Sequence, residues 1–241
     1  LALGSSGVTV YEMTKALSIV ANSGKRFAPI IVREVQSHDG QVLIKDLSLD
    51  QRIKEKLDAI DQEFAERRTE YQKSLEAYRR KMASRPEPVD GETPEEKPPV
   101  NAFFFEDPDQ LISAKTAYLV TNMLQGVASE PDGTGGRAGQ LGRPVAGKTG
   151  TTNGYYDAWF IGYTAQVAST VWVGIDTEKT LGKGETGGDA ALPIWLPFMQ
   201  AVHQKLPVKQ FPIPDGIVFA NVDKDAGKLS PTGIRLPFIQ G

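Results

Sequence analysis

Apolar residues stand three and four positions apart in four segments of the chain, a spacing that places them on one face of an α-helix. The predicted helices lie between Thr9 and Gly24, over residues 51–82 and 113–128, and around residues 195–203. Thr9 and Glu12 have the spacing of a capping box, in which both side chains satisfy free amide groups at a helix start. Asn22-Ser23-Gly24 supplies the left-handed residue that ends the same helix.

Other segments are rich in β-branched and aromatic residues and are bounded by short turns, a pattern that predicts β-strands. These segments cover residues 27–35, 42–44, 145–152, 158–166, 170–176 and 217–220. Asp39-Gly40 is a favoured pair for the tight turn of a hairpin between the first two. The segments between residues 145 and 176 predict consecutive antiparallel strands. We therefore expect an α+β fold, in which helices cover an antiparallel sheet.

The charge density rises between residues 46 and 100, which hold 11 Lys and Arg and 14 Asp and Glu residues. Within this segment one helical stripe is apolar, formed by Ile53, Leu57, Ile60, Phe64, Tyr71, Leu75, Tyr78 and Met82. The stripe predicts one long amphipathic helix, either a solvated helix lying on its own domain or an arm that binds a protein partner. Residues 85–100 are rich in Pro and Glu and predict a mobile linker. We expect residues 46–100 to be an insertion.

Composition excludes several classes of function. The chain has 27 Lys and Arg against 30 Asp and Glu, so no excess positive charge is available for a nucleic-acid partner. It has no Cys and only two His, which excludes Cys/His zinc sites, iron–sulfur clusters, a thiol nucleophile and disulfides. No run approaches the roughly 20 apolar residues that cross a bilayer. The start at Leu1 is not an initiator Met, and we expect a soluble piece of something longer.

Residues 142–149 spell G-x-x-x-x-G-K-T, the phosphate-binding loop of nucleotide hydrolases, which gives one alternative function. Such a loop needs a buried strand before its first Gly and a helix that opens at the Lys. Neither is predicted, because Gly and polar residues precede Gly142 and Thr-Gly-Thr-Thr-Asn-Gly follows Lys148. Only 28 positions separate Lys148 from Asp176, the acidic residue that could hold magnesium, and they leave no room for a crossover helix.

Lys148-Thr149-Gly150 suits a strand at a sheet edge. There the backbone can pair with an extended peptide, and Gly150 lets that peptide come close because it has no side chain. The Lys148 ammonium offers positive charge to a substrate carboxylate, and Thr hydroxyls donate hydrogen bonds to the same group. The backbone N–H of Thr151 is then suited to stabilise an oxyanion.

Several blocks of the sequence, this one among them, closely resemble the transpeptidase domain of class A penicillin-binding proteins, in the same order along the chain. The blocks are residues 4–9, 21–24, 116–120, 143–153, 157–164, 171–174, 184–188 and 193–195. The resemblance covers most of residues 1–45 and 101–229, and it implies the penicillin-binding and serine β-lactamase-like fold. We expect residues 1–45 and 101–206 to be the C-terminal part of a transpeptidase domain and residues 207–241 a C-terminal extension.

The resemblance implies a serine D-Ala-D-Ala transpeptidase that cross-links peptidoglycan stem peptides on glycan strands derived from lipid II, needs no cofactor and is acylated by β-lactam antibiotics. It also implies a membrane anchor and a glycan-polymerising domain upstream, with the catalytic domain on the periplasmic side of the cytoplasmic membrane. The non-catalytic alternative is an interaction module that acts through residues 46–100.

The family's site has three motifs, and this chain carries only the K-T-G. The resemblance implies catalytic roles for Lys148, Thr149 and Thr151 and substrate binding by Lys148, Thr149, Gly150, Thr151 and Thr152. No Lys has a Ser three positions before it, and no Asn has a Ser two positions before it. We therefore expect the nucleophilic Ser and its base Lys to stand before Leu1, and the isolated chain to be inactive. Asn153-Gly154, where the family often has an acidic residue after Asn, is expected to change only a turn.

Overall fold

A computed structural model describes residues 7–84, 97–99, 105, 107–129, 133–177 and 179–240. The helices are α1 (Val10–Ala21), α2 (Lys54–Ala83), α3 (Ala114–Ser129) and α4 (Leu192–His203). The strands are β1 (Ile30–Gln36), β2 (Val42–Ser48), β3 (Ala146–Thr151), β4 (Asp157–Tyr163), β5 (Ala168–Gly174), β6 (Ile217–Val222) and β7 (Ile234–Ile239). All four predicted helices are confirmed, and so is an α+β fold with antiparallel sheets.

The chain divides into two compact units, residues 1–25 with 112–241 and residues 26–111. In the first unit, β3, β4 and β5 form an antiparallel sheet in that order, so β3 is an edge strand. Lys148 lies opposite Ile161, and Gly150 lies opposite Trp159. Because directly paired residues point to the same side of a sheet, these four residues share one face.

Helices cover both faces of this sheet. On one face the Phe160 ring meets the Trp195 ring of α4 edge-on, with 4.9 Å between centroids, and both residues are fully buried. On the other face Tyr163 and Ala146 pack with residues of α1 and α3. The Tyr163 hydroxyl shares a 2.9 Å hydrogen bond with Thr121, and burial raises the pKa of Tyr163.

Helix α1 begins and ends as its local sequence predicts. The Thr9 hydroxyl accepts a hydrogen bond from the Glu12 amide at 3.2 Å, and the Glu12 carboxylate accepts one from the Thr9 amide at 2.8 Å. At the other end Asn22 caps the helix and Gly24 adopts a φ of 85°, which a residue without Cβ tolerates.

A separate hairpin of β6 and β7 ends this unit. Its strands pair from Ile217 with Ile239 to Val222 with Ile234, so the predicted strand at residues 217–220 is confirmed and extended. Phe219 contacts Tyr118 of α3 edge-on, and the Arg235 guanidinium lies 4.6 Å from the Phe219 ring centre.

The second unit contains the β1–β2 hairpin and α2. Gly40 in the hairpin turn adopts a φ of 83°, as the Asp-Gly pair predicts. The Arg26 guanidinium binds Asp61 of α2 at 2.5 Å and Asp109 at 3.0 Å. The Asp61 hydrogen bond is the main cause that raises the pKa of Arg26.

The predicted long helix at residues 51–82 is confirmed, since α2 runs to Ala83 after a short 3₁₀ turn, Leu49–Ile53. Along the apolar stripe the side chains are half-buried at Leu57, Tyr71, Leu75, Tyr78 and Met82 and exposed at Ile53, Ile60 and Phe64. The predicted linker at residues 85–100 lies outside the described residues except for 97–99. The domain boundaries at 46–100 and 207–241 stay predictions. Within the described ranges, no helix is both long and apolar enough to cross a membrane.

Candidate functional site

Lys148 lies in the middle of edge strand β3, with its side chain exposed. Its Nζ donates a 2.7 Å hydrogen bond to the backbone carbonyl of Thr149 and stands 3.5 Å from the Thr149 Oγ1. An ammonium at an exposed sheet edge is available to an anionic ligand, whose charge it can balance at short range.

The same placement contradicts the phosphate-loop alternative. A 3₁₀ turn, Gly136–Leu141, precedes Gly142 where a buried strand is required, and Lys148 continues a strand instead of opening a helix. Without a helix N-terminus the loop amides and the helix dipole cannot act together on a phosphate. The nucleotide-hydrolase interpretation is therefore wrong.

Side chains alternate along a strand, so Thr149 and Thr151 leave β3 on the opposite face from Lys148, but the long Lys148 side chain brings its Nζ to 3.5 Å from the Thr149 Oγ1. The Thr149 Oγ1 lies 2.7 Å from the Thr134 Oγ1, and the Thr151 Oγ1 accepts a 3.1 Å hydrogen bond from the Gly187 amide. The hydroxyls of Thr149 and Thr151 therefore each have a hydrogen-bond partner that lies outside β3.

Thr152 differs from the other candidate residues because it closes the β3–β4 turn. Its Oγ1 accepts a 2.8 Å hydrogen bond from the Asp157 amide, and its own amide donates to the Asp157 carbonyl at 3.1 Å. Within the turn Gly154 and Tyr155 both adopt positive φ, 81° and 61°. The Tyr155 carbonyl accepts a 2.7 Å hydrogen bond from Leu181, which ties the turn to the loop after β5.

The two glycines of the motif region sit where backbone approaches closely. A Cβ built on Gly150 would lie 3.2 Å from the Trp159 Cβ, and one built on Gly187 would lie 2.1 Å from the Trp159 carbonyl oxygen. Gly187 opens a π-helical turn, Gly187–Ala191, that leads into α4. Glycine at 187 is thus required for this turn to rest on the backbone of β3 and β4.

Sequence reasoning missed two residues that contact β3, Thr134 and Gly187, and two charged residues that follow them in the chain, Arg137 and Asp189. Asp189 accepts a 2.6 Å hydrogen bond from the Thr186 hydroxyl, and its carboxylate stands 3.8 Å from Arg137. The Gly184-to-Gly188 block carried part of the family resemblance, which was the available signal for Gly187. Thr134 lies in a Gly-rich loop that gives no local signal. The strand predicted at residues 145–152 is confirmed, and the pairing of its edge with an extended peptide stays a prediction.

Comparison with known proteins gives three concordant findings. Residues 105–200 match the family model described as the penicillin-binding protein transpeptidase domain. The chain is 36% identical to penicillin-binding protein 1A of Pseudomonas aeruginosa over 97% of its length and 27% of that protein. It is 29% identical to penicillin-binding protein 1A of Aquifex aeolicus, over its whole length and 25% of that protein. The chain therefore spans about a quarter of the length of these curated relatives.

Solved structures agree with the sequence matches. The crystal structure of penicillin-binding protein 1A from Haemophilus influenzae superposes with a TM-score of 0.69 at 28% identity, covering all of this chain and 33% of that chain. The penicillin-binding protein PonA1 from Mycobacterium tuberculosis gives a TM-score of 0.55 at 24% identity, over 88% of this chain and 42% of that chain, and this second likeness concerns the fold alone.

Proposed function

Because the chain belongs to the penicillin-binding protein transpeptidase family, we propose that it forms part of a serine-type D-Ala-D-Ala transpeptidase that cross-links peptidoglycan stem peptides. The observation that carries this proposal is the geometry of β3. It is an edge strand with an exposed ammonium at Lys148, and the Lys148 Nζ lies 3.5 Å from the Thr149 Oγ1, so that charge and hydroxyl stand close together. That arrangement suits an extended peptide that ends in a carboxylate.

Each residue of the strand has a separate role in this proposal. Lys148 supplies positive charge near the carboxylate of the acyl donor, and the hydroxyls of Thr149 and Thr151 donate hydrogen bonds to it. Gly150 lets the donor peptide approach the backbone, and Thr152 holds the end of the binding strand. The Thr151 amide stabilises the oxyanion of the tetrahedral intermediate.

The reaction is acyl transfer in two steps. A Ser hydroxyl attacks the carbonyl carbon of the penultimate D-Ala, the bond to the terminal D-Ala breaks, and that leaving nitrogen takes up a proton. An amine of a neighbouring stem then attacks the resulting ester, and the Ser oxygen leaves and regains its proton. The 241 residues contain no Ser-x-x-Lys, so the nucleophile and its base belong to another part of the full-length protein in this proposal.

The remaining features proposed for the full-length protein follow the family. They are a membrane anchor, a glycan-polymerising domain, a transpeptidase site on the periplasmic side of the cytoplasmic membrane, and inhibition by β-lactams. A protein partner for residues 46–100 is also proposed, because the apolar side chains of Ile60 and Phe64 on α2 are exposed.

Labelling with a fluorescent penicillin tests the proposed function. We expect the full-length protein to become covalently labelled and the 241-residue chain alone to stay unlabelled, because the ester bond needs an activated Ser. Labelled bands after denaturing electrophoresis are the measurement, and excess unlabelled penicillin is the control. An unlabelled full-length protein contradicts the function, and a labelled isolated chain shows that the nucleophile lies within these residues.

A further inference from the structure

The Thr149 hydroxyl has a short contact with a loop outside the K-T-G strand. Its Oγ1 lies 2.7 Å from the Oγ1 of Thr134, a normal distance for a hydrogen bond between hydroxyls. The Lys148 Nζ is 3.5 Å from the same oxygen and donates instead to the Thr149 carbonyl. Thr134 is therefore the close side-chain partner of the Thr149 hydroxyl among these groups.

A hydroxyl carries one proton and can donate to only one acceptor at full strength, while it accepts from others. If the Thr149 hydroxyl donates its proton to a carboxylate, Thr134 must be the donor in the hydrogen bond between the two threonines. The two hydroxyls then form a chain of hydrogen bonds from Thr134 through Thr149 to the carboxylate. The hydrogen bond that the Thr149 oxygen accepts from Thr134 polarises the Thr149 O–H bond and makes it a better donor.

We propose that Thr134 is a positioning residue that directs the Thr149 hydroxyl proton toward the carboxylate of the acyl donor. This inference rests on the proposed function, because it takes Thr149 as a carboxylate ligand. Thr134 belongs to the Gly-rich loop and not to the strand that carries the motif. Its role is to orient the Thr149 hydroxyl without touching the substrate.

Backbone contacts on both sides of Thr134 hold this part of the loop against its neighbours. The Gly135 amide donates a 3.1 Å hydrogen bond to the Val127 carbonyl of α3, and a Cβ on Gly135 would lie 3.2 Å from the Phe160 ring. On the other side, a Cβ on Gly188 would lie 2.7 Å from the Thr134 carbonyl oxygen. The backbone at Thr134 is thus anchored to α3, the sheet core and the π-helical turn, and its exposed side chain bonds the Thr149 hydroxyl from this anchored position.

The test replaces Thr134 in the full-length protein and measures the second-order rate of acylation by a fluorescent penicillin. Thr134→Val keeps the branched shape and removes the hydroxyl, and we expect acylation to slow about three- to tenfold, the effect of one neutral hydrogen bond. Thr134→Ser keeps the hydroxyl and is expected to stay close to the wild-type rate. Thr232→Val is the matched control and should leave the rate unchanged, because Thr232 lies in the β6–β7 connection with its hydroxyl 3.2 Å from the Ser230 hydroxyl.

A double-mutant cycle separates positioning from a merely structural role. In a Thr149→Val background, Thr134→Val should have no further effect on the acylation rate, because the hydroxyl through which it acts is gone. Equal slowing in both backgrounds, or a Ser variant as slow as the Val variant, overturns the inference. An unlabelled wild-type protein overturns the proposed function and this inference with it, whereas a labelled wild type with an unimpaired T134V variant overturns the inference alone.

Discussion

Replacing Lys148 with Ala in the full-length protein is expected to slow acylation by penicillin about 30- to 1,000-fold, the usual effect of losing a charged contact in a partly desolvated site. The side chain is exposed in β3, so the substitution removes charge without opening a cavity in the core. The loss should therefore appear in the acylation rate and leave thermal unfolding unchanged. The acylation rate is measured by labelling the protein with a fluorescent penicillin at several concentrations and stopping the reaction at successive times.

Two variants control this experiment. Lys148→Arg retains the positive charge with a different shape and should recover part of the rate, and Lys228→Ala removes an exposed Lys from the β6–β7 connection and should have no effect. A Lys148→Ala protein that is acylated as fast as the wild type would mean that Lys148 is an ordinary surface lysine.

Replacing Trp195 with Ala should lower the stability of the first unit by about 3–5 kcal/mol, the range for truncating a large buried aromatic side chain. Trp195 is fully buried, packs on Phe160, and donates a 3.1 Å hydrogen bond from Nε1 to the Ser169 carbonyl. It also fills the space over Gly162, where an added Cβ would lie 2.7 Å from the indole. Removing it leaves a cavity and an unpaired carbonyl between α4 and the sheet.

The measurement is the midpoint of thermal unfolding of the chain, followed by circular dichroism. Trp172→Ala is the matched control, since Trp172 remains 37% exposed and bonds Asp157 at 2.8 Å, so its loss should lower the midpoint much less. Equal decreases for the two variants would contradict the assignment of Trp195 to the core of this unit.

Local sequence signals predicted the elements well where neighbours along the chain decide them. The Thr9–Glu12 capping box and the Asp39-Gly40 turn involve residues three and one positions apart, so their interactions form within the segment itself. The strand at Lys148 was predicted for the same reason. Its β-branched neighbours favour a strand, and the Thr-Gly-Thr-Thr-Asn-Gly run that follows disfavours a helix.

Strand limits depended on pairing and were predicted less accurately. The strand expected at residues 170–176 spans Ala168–Gly174, because Ala168 pairs with Tyr163 at one end and Gly174 pairs with Asp157 at the other. Likewise β2 continues to Ser48, beyond the predicted end at residue 44, since it pairs with β1 as far as Ile30. The hydrogen-bonding partner, which a single segment does not specify, sets these ends.

Contacts around the motif were beyond sequence reasoning for a related reason. Thr134 and Thr149 are 15 positions apart, and Thr151 and Gly187 are 36 apart, so no periodic pattern connects them. The composition of the loop at residues 133–136 predicts only flexibility and turns. Tertiary packing of α3, the sheet and the π-helical turn brings these residues to the strand, and only the folded chain reveals their contacts.

The central claim is that β3 binds the carboxylate of the acyl donor, and a crystal structure of the full-length protein acylated by penicillin tests it most directly. We predict that the penicillin carboxylate lies within hydrogen-bonding distance, about 2.5–3.2 Å, of hydroxyls on Thr149 or Thr151, with the Lys148 ammonium nearby. A covalently bound penicillin whose carboxylate is held by other residues, with β3 making no contact to it, would contradict the claim.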